Sequence, residues 1–442
     1  MLTGDRVIKA LSGRWKAKDT VIKRLKVKNM KEFEKVLQDL TEAGVIETLE
    51  KDGKIYLKLA DTEAKKQRAI KKEKELFKKE IQRRKEVDKN LSKMGKQLYQ
   101  EILQGEFPHL DIPSRSTSNI VFDEDLRQYV LGDKTVTRTA KSLGQIRSFS
   151  QLIWVMRFLK ELLKLNKSST LRDVYYSSEA YQIKFADQQE SDTCITDVEA
   201  ILGVPREDFK VFPEERSAIY GDLTVEYTTP ARYAGRRVTM NDSPDGVMIG
   251  PHLVNSKFIK TTADKVIAIE SGGMFTRFVE EEVNEKYNAI LIHTAGQAPR
   301  STRRLIRRLH YELNLPVYIF TDADPYGCHI AMVIISGSAS AAHLTGLATP
   351  DAIWMGVWAT DIEKYNLPSD ALREIDIKRC KELLRDPRYQ SKFWQEELKT
   401  FLRIRKKAEQ QAFSRYGLTY VVDEYLPAKL RQVEEMKEKG LI

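Results

Sequence analysis

The segment Val317-Tyr318-Ile319-Phe320-Thr321-Asp322-Ala323-Asp324-Pro325-Tyr326-Gly327 runs four apolar residues straight into a loop with two aspartates and a proline. A short, wholly apolar run that ends in turn residues reads as a strand buried on both faces. Two such runs precede it, Val266-Ile267-Ala268-Ile269 and Ala289-Ile290-Leu291-Ile292, and a fourth follows in Ala352-Ile353-Trp354-Met355-Gly356-Val357. Helical spacing fills the intervals, with Phe278 and Val279 after the first run and Leu305, Ile306 and Leu309 after the second. Strands alternating with helices from about residue 262 predict an α/β domain with a parallel sheet and helical crossovers. Beyond residue 369 the pattern is mostly helical.

In an open α/β sheet, ligands gather beyond the carboxyl ends of the strands. Glu270 closes the first strand, ahead of Ser271-Gly272-Gly273, and Asp322 and Asp324 close the third. Residues two apart in extended backbone point to one side, so Asp322 and Asp324 can approach one cation together. Carboxylates without His or Cys nearby suit a hard, oxygen-seeking ion. Mg2+ binds this way, through one or two carboxylates plus waters and substrate phosphates. A lone Asp-x-Asp is usually solvated or structural; the glutamate at an earlier strand end is what favours metal.

Upstream, residues 147–165 form a strongly apolar helix candidate, followed by Ser168-Ser169-Thr170 as N-caps for Leu171-Arg172-Asp173-Val174-Tyr175-Tyr176. On that second helix Leu171, Val174 and Tyr175 share an apolar face, while Arg172 and Tyr176, four apart, share the adjoining polar one. Tyr175 is then the core aromatic and Tyr176 the exposed hydroxyl beside a cation. A phenol with an ordinary pKa of about 10 is a poor nucleophile until a cation or base favours its anion. Arg172 can supply that, or hold a phosphate under attack. Taken alone, a tyrosine pair is more often packing than chemistry. A third feature is Gly296-Gln297-Ala298-Pro299-Arg300-Ser301-Thr302-Arg303-Arg304, running into Arg307-Arg308. There a helix N-terminus with Arg300, Arg303, Arg304 and Arg307 is expected to grip a DNA backbone. No Gly-Lys-Ser/Thr of a Walker loop occurs in the sequence.

The N-terminal quarter is different in texture. Residues 1–60 predict three helices, with Gly44 as a C-cap, then strands at 45–49 and 55–59 around an Asp52-Gly53 turn. That is the order of a winged-helix module, whose third helix would enter a major groove while Lys51 and Lys54 meet phosphate. Residues 61–100 have no Gly or Pro until Gly95 and predict a charged helical connector with one apolar seam. The 442 residues carry a net charge of +10. Residues 1–100 hold 28 Lys+Arg against 16 Asp+Glu, which leaves 46 against 48 in the rest, so the whole basic excess is N-terminal. Such an excess points to a polyanion. No apolar run reaches the ~18–20 residues of a membrane span, and Cys194, Cys328 and Cys380 lack metal-ligand spacing. The expectation is a reduced, intracellular chain of two to four domains, with no membrane partner.

Taken in order, Arg172-Asp173-x-Tyr175-Tyr176, Glu270-Ser271-Gly272-Gly273, Gly296-Gln297-x-Pro299-Arg300-Ser301-Thr302-Arg303-Arg304 and Thr321-Asp322-Ala323-Asp324-Pro325-Tyr326-Gly327 resemble the motifs of the A subunits of type IIB DNA topoisomerases, the topoisomerase VI family. The resemblance covers about residues 105–435, and the arginine-rich loop looks archaeal rather than like the related meiotic double-strand-break protein. It implies a winged-helix (CAP-like) domain at 101–255 bearing the catalytic tyrosine, then a Rossmann-like Toprim domain with C-terminal helices at 256–442, preceded by the module at 1–60 and the connector at 61–100. By position it implies Tyr176 as nucleophile, Arg172 as its supporting cation, and Glu270, Asp322 and Asp324 as Mg2+ ligands. It further implies double-stranded DNA as substrate, a homodimer of this chain within a heterotetramer, a separate ATPase B subunit, and a cytoplasmic, nucleoid-associated setting. Two alternatives stand beside it: a recombination-initiating double-strand-break protein, and a non-catalytic winged-helix DNA-binding protein. Residues 1–100 lie outside the resemblance.

Overall fold

A computed structural model describes the chain except for residues 1–3, 12–14, 28, 43–44, 52–53, 214–215 and 442. The expected Gly44 cap and Asp52-Gly53 turn lie outside the described residues. The chain divides into two compact units, Met1–Leu76 and Phe77–Ile442.

The first unit orders α1 (Gly4–Ala10), β1 (Lys16–Ala17), α2 (Lys18–Leu25), α3 (Met30–Glu42), β2 (Ile46–Lys51) and β3 (Lys54–Leu59), with a sheet order of β1-β3-β2. Alternation along β3 turns Leu57 and Leu59 inward, against Val7, Val21, Phe33 and Leu37. The third helix of this unit is α3. It turns Lys31, Lys35, Asp39 and Glu42 to solvent, while its Glu34 pairs with Lys18 at 2.5 Å, so the outer face carries both signs in balance.

α4 (Asp61–Leu103) is longer than the expected connector, and its second half belongs to the larger unit. Val87, Leu91 and Leu98 are buried in one core with α5 (Leu143–Leu165), α6 (Leu171–Ala180) and α7 (Gln188–Leu202). Deleting residues 1–76 should therefore leave a cooperatively folding protein, whereas deleting 1–95 strips Val87 and Leu91 from that core. Each buried aliphatic is worth about 1.5–3 kcal/mol, so thermal melts should separate the two truncations by many degrees. Equal melting temperatures would show that α4 is dispensable.

The second core of the larger unit surrounds a six-stranded sheet in the order Val247–Met248, Ala218–Tyr220, Ala289–His293, Lys265–Ile269, Val317–Phe320, Ile353–Gly356. The last four strands are parallel, as expected from their unbroken apolar runs, and the first two add on antiparallel. A domain break at 255/256 cuts through this region. Ile219, Leu223, Val225, Met240 and Leu253 all lie in the core around the sheet, so the two regions part between Phe212 and Ala218. The two-residue and three-residue edge strands carry too little pattern to be read in advance. From the central strand Lys265–Ile269 the chain moves to one side for Ala289–His293, then crosses to the other for Val317–Phe320. That reversal opens the crevice where Glu270, Asp322 and Asp324 lie. All three cysteines are buried and unbridged. Among the described residues no helix is long and apolar enough to cross a membrane.

Candidate active site

The carboxylates are set by strand ends and helix caps. Ser271 caps the helix Gly272–Glu280, its Oγ accepting from the Met274 N–H at 3.5 Å. Asp324 caps Pro325–Ser336, with Pro325 in the first turn, and its Oδ1 accepts from the Gly327 N–H at 2.6 Å. Glycine is required at 327, since a Cβ there would stand 2.1 Å from the Asp322 carbonyl oxygen. The backbone N–H of Asp322 donates to Glu270 Oε2 at 3.0 Å, tying the two strand ends together.

Burial first, and then the charge of Asp322, pushes the Glu270 carboxyl up to about 7. Burial likewise raises Asp322 to about 6, against the Gln410 N–H that favours its anion. Asp324 is raised by burial too, with the Gly327 N–H and Lys407 opposing. Among the described residues no Lys or Arg pairs with Glu270 or Asp322; Lys407 is engaged with Asp376 at 3.1 Å. Nor, among those residues, do three His, Cys, Asp or Glu side chains converge as a finished metal cage. The set fits instead a cation that binds through one or two carboxylates and brings its own waters. Close acids without a counter-cation are what such an ion would relieve.

A strap that sequence reasoning missed crosses this loop. Ala408 and Ala323 exchange backbone hydrogen bonds, the Gln410 N–H donates to Asp322 Oδ1 at 2.9 Å, and Gln411 Nε2 reaches Ser271 Oγ at 2.5 Å. The Gln410 side chain is fully buried, and its Nε2 donates to the Phe320 carbonyl at 2.6 Å. No sequence signal links residue 410 to residue 322.

α6 begins at Thr170, whose side chain and that of Asp173 cap each other's backbone N–H groups. The helix buries Val174, half-buries Tyr175 and leaves Tyr176 at 56% exposure, with Arg172 also exposed. The two tyrosine rings meet edge to face at 5.4 Å. Neither Arg172 nor Tyr176 makes a hydrogen bond or ion pair with the three acids in this chain, among the described residues.

The arginines are not where a DNA grip would need them. Arg303, Arg304 and Arg307 are buried, and Arg300 is largely so. Arg300 pairs with Glu199 at 2.5 Å, Arg304 with Asp208 at 2.6 Å, and Arg307 donates to the Ala348 carbonyl and stacks on Tyr311. Burial, then the nearby Arg300 charge, pulls Arg303 down to about 10. Burial alone would raise Glu199, but a hydrogen bond to His343 and the Arg300 charge hold it down at about 2. The helix Arg300–Leu313 is thus an internal strut joining the sheet region to the helical region. Its arginines meet acids about a hundred residues earlier, which the local run of cations could not disclose.

Residues 265–430 match the family model for the Toprim domain of the topoisomerase 6 A subunit and Spo11, and residues 147–211 match the model described as type IIB DNA topoisomerase. The proteins named as the A subunit of type 2 DNA topoisomerase 6 in Methanothermobacter thermautotrophicus and Archaeoglobus fulgidus are 46% and 44% identical to the chain, over 80% and 76% of its length and 99% and 94% of theirs. The corresponding Halobacterium salinarum protein is 40% identical over 79% of the chain and 96% of its own length. The chain belongs to the topoisomerase VI A-subunit family. Within that type IIB family it is the DNA-cleaving and rejoining component, and the sheet region is its Toprim domain. Both family models of this topoisomerase chain match within the larger unit, and Met1–Leu76 lies outside them.

Proposed function

We propose that Tyr176 attacks a DNA phosphodiester, with Glu270, Asp322 and Asp324 holding Mg2+ at the scissile phosphate. The Tyr176 oxygen bonds to phosphorus, the bond to the 3′ oxygen breaks, the phenolic proton passes to solvent, and the leaving 3′ oxygen takes a proton from solvent. The product is a 5′-phosphotyrosyl link and a 3′-hydroxyl, which attacks back to reseal the strand. The bond energy is conserved in the link, so resealing needs no nucleotide. The ion, when bound, neutralises charge on the phosphate. Arg172, exposed on the same polar face of α6, orients the phosphate and offsets the negative charge that builds there. The observation that carries this reading is the presence, in one chain, of a solvent-facing phenol beside an arginine and of the buried acids Glu270 and Asp322, which pair with no Lys or Arg among the described residues.

α6 and its neighbours act as a CAP-like winged helix, and the first unit, with its helix-strand-helix-helix-hairpin order, as a second one. The lack of any bond between α6 and the acids among the described residues supports a composite site, in which the tyrosine of one protomer serves the acids of its partner. Two copies of the chain then cut both strands, and an ATPase B subunit in a heterotetramer drives the gate. Mixed dimers test this. Tyr176→Phe and Asp322→Asn chains are each expected to be inactive, yet a one-to-one mixture should nick DNA, because one composite site in the mixed dimer is intact. No recovery in the mixture, with mixed dimers verified by mass, would place each site within a single chain.

A further inference from the structure

The outer face of α4 carries a row of cations that the cleavage site does not use. Lys78, Lys85, Lys89, Lys93 and Lys96 are all exposed, and none has an ion-pair or hydrogen-bond partner among the described residues. At about 100° per residue these five fall within an arc of about 80°, opposite the buried seam of Val87, Leu91 and Leu98. They span about 27 Å along the axis, the rise of about eight base pairs. No acid lies inside that arc between the first lysine and the last. The carboxylates described in the same stretch are at its rim or beyond, and are engaged elsewhere. Glu86 accepts from Gln82, Asp88 pairs with Lys160 at 2.9 Å, and Glu101 accepts from Gln97 and the His109 N–H. Like charges one helical turn apart, as in Lys85, Lys89 and Lys93, oppose the helix, so the row is set for a polyanion rather than for its own stability.

The neighbouring surface continues it. A cleft of about 500 Å³ between α4 and the end of α5 is lined by Arg84, Lys85, Asp88, Lys160 and Lys164. Arg84 and Lys160 are matched by Asp208 and Asp88, while Lys85 and Lys164 have no carboxylate among the described residues. No aromatic side chain stands in the row, so it has nothing to stack on bases. We infer that this face of α4 is a second DNA surface that holds the phosphate backbone of a duplex, without regard to sequence, outside the cleavage site.

Each phosphate neutralised contributes about 0.9 to the slope of log affinity against log salt. The test uses the full chain in a Tyr176→Phe background, so that binding is read apart from cleavage. Duplex affinity is measured by anisotropy from about 50 to 200 mM KCl. Replacing all five lysines by glutamine should lower the slope by about 4.5 and weaken binding at least ten-fold at the low-salt end. Replacing all five by arginine keeps the charge and should keep the slope. An unchanged slope in the glutamine variant overturns the inference, as does an arginine variant that behaves like the glutamine one. Loss of the ATPase partner with duplex binding intact would make the face a protein contact and also overturns it. In the wild-type tyrosine background the glutamine variant at saturating concentration should still form covalent adducts with the ATPase partner and Mg2+, which separates this inference from the assignment of Tyr176.

Discussion

Tyr176→Phe is expected to abolish covalent protein–DNA adducts and to reduce supercoil relaxation with the ATPase partner by at least about 10⁴-fold, a barrier increase above about 5 kcal/mol. The substitution removes one oxygen from a side chain that is 56% exposed and packs only edge to face on its neighbour. Folding and DNA binding should therefore be unchanged, and the loss should lie wholly in chemistry. Tyr175→Phe is the matched control. Its ring packs on the helical core and its hydroxyl makes no hydrogen bond among the described residues, so activity should stay within about two-fold of wild type. Arg172→Ala should fall between, losing about 10²–10³-fold as expected when one donor to a charged phosphate is removed, with adducts still detectable. Adducts from Tyr176→Phe and none from Tyr175→Phe would reverse the assignment and require α6 to rotate by a full position.

Much of this site was legible because burial and chemistry agree locally. Strands buried on both faces need unbroken apolar runs, so the parallel strands ending at Glu270 and before Asp322 stood out. Helix caps need side-chain oxygens, so Thr170, Ser271 and Asp324 mark where their helices start. The faces of α6 follow from spacing alone. The arginine helix misled for a long-range reason. An amphipathic reading sends charges to solvent, but Arg300 and Arg304 find Glu199 and Asp208 from another part of the chain and can be buried. The strap around Gln410 was invisible because it acts through backbone N–H groups, which any residue supplies. The N-terminal charge was visible as a total and not as a surface. α3 shows both signs to solvent, and the ordered lysines lie on α4.

Mg2+ affinity should depend steeply on pH, because the acids must lose protons to bind it. With Glu270 near 7 and Asp322 near 6 in the metal-free protein, affinity should be flat above about pH 7.5. It should fall about ten-fold per unit below 7 and more steeply below 6. Stability of the metal-free protein should move the other way. Both acids hold protons in the folded state that the unfolded chain has released, so rising pH from about 4 to 7 destabilises the fold. Thermal melts with and without Mg2+ between pH 5 and 8 should then show a metal-free Tm that declines with pH and an Mg2+-induced increase that grows from almost nothing to its maximum. Asp322→Asn keeps an oxygen to accept the Gln410 N–H while deleting the charge that repels Glu270. It should raise the metal-free Tm at pH 8 and erase the Mg2+ increment. An Mg2+ increment that survives Asp322→Asn, or that does not change with pH, would move the ion away from these carboxylates.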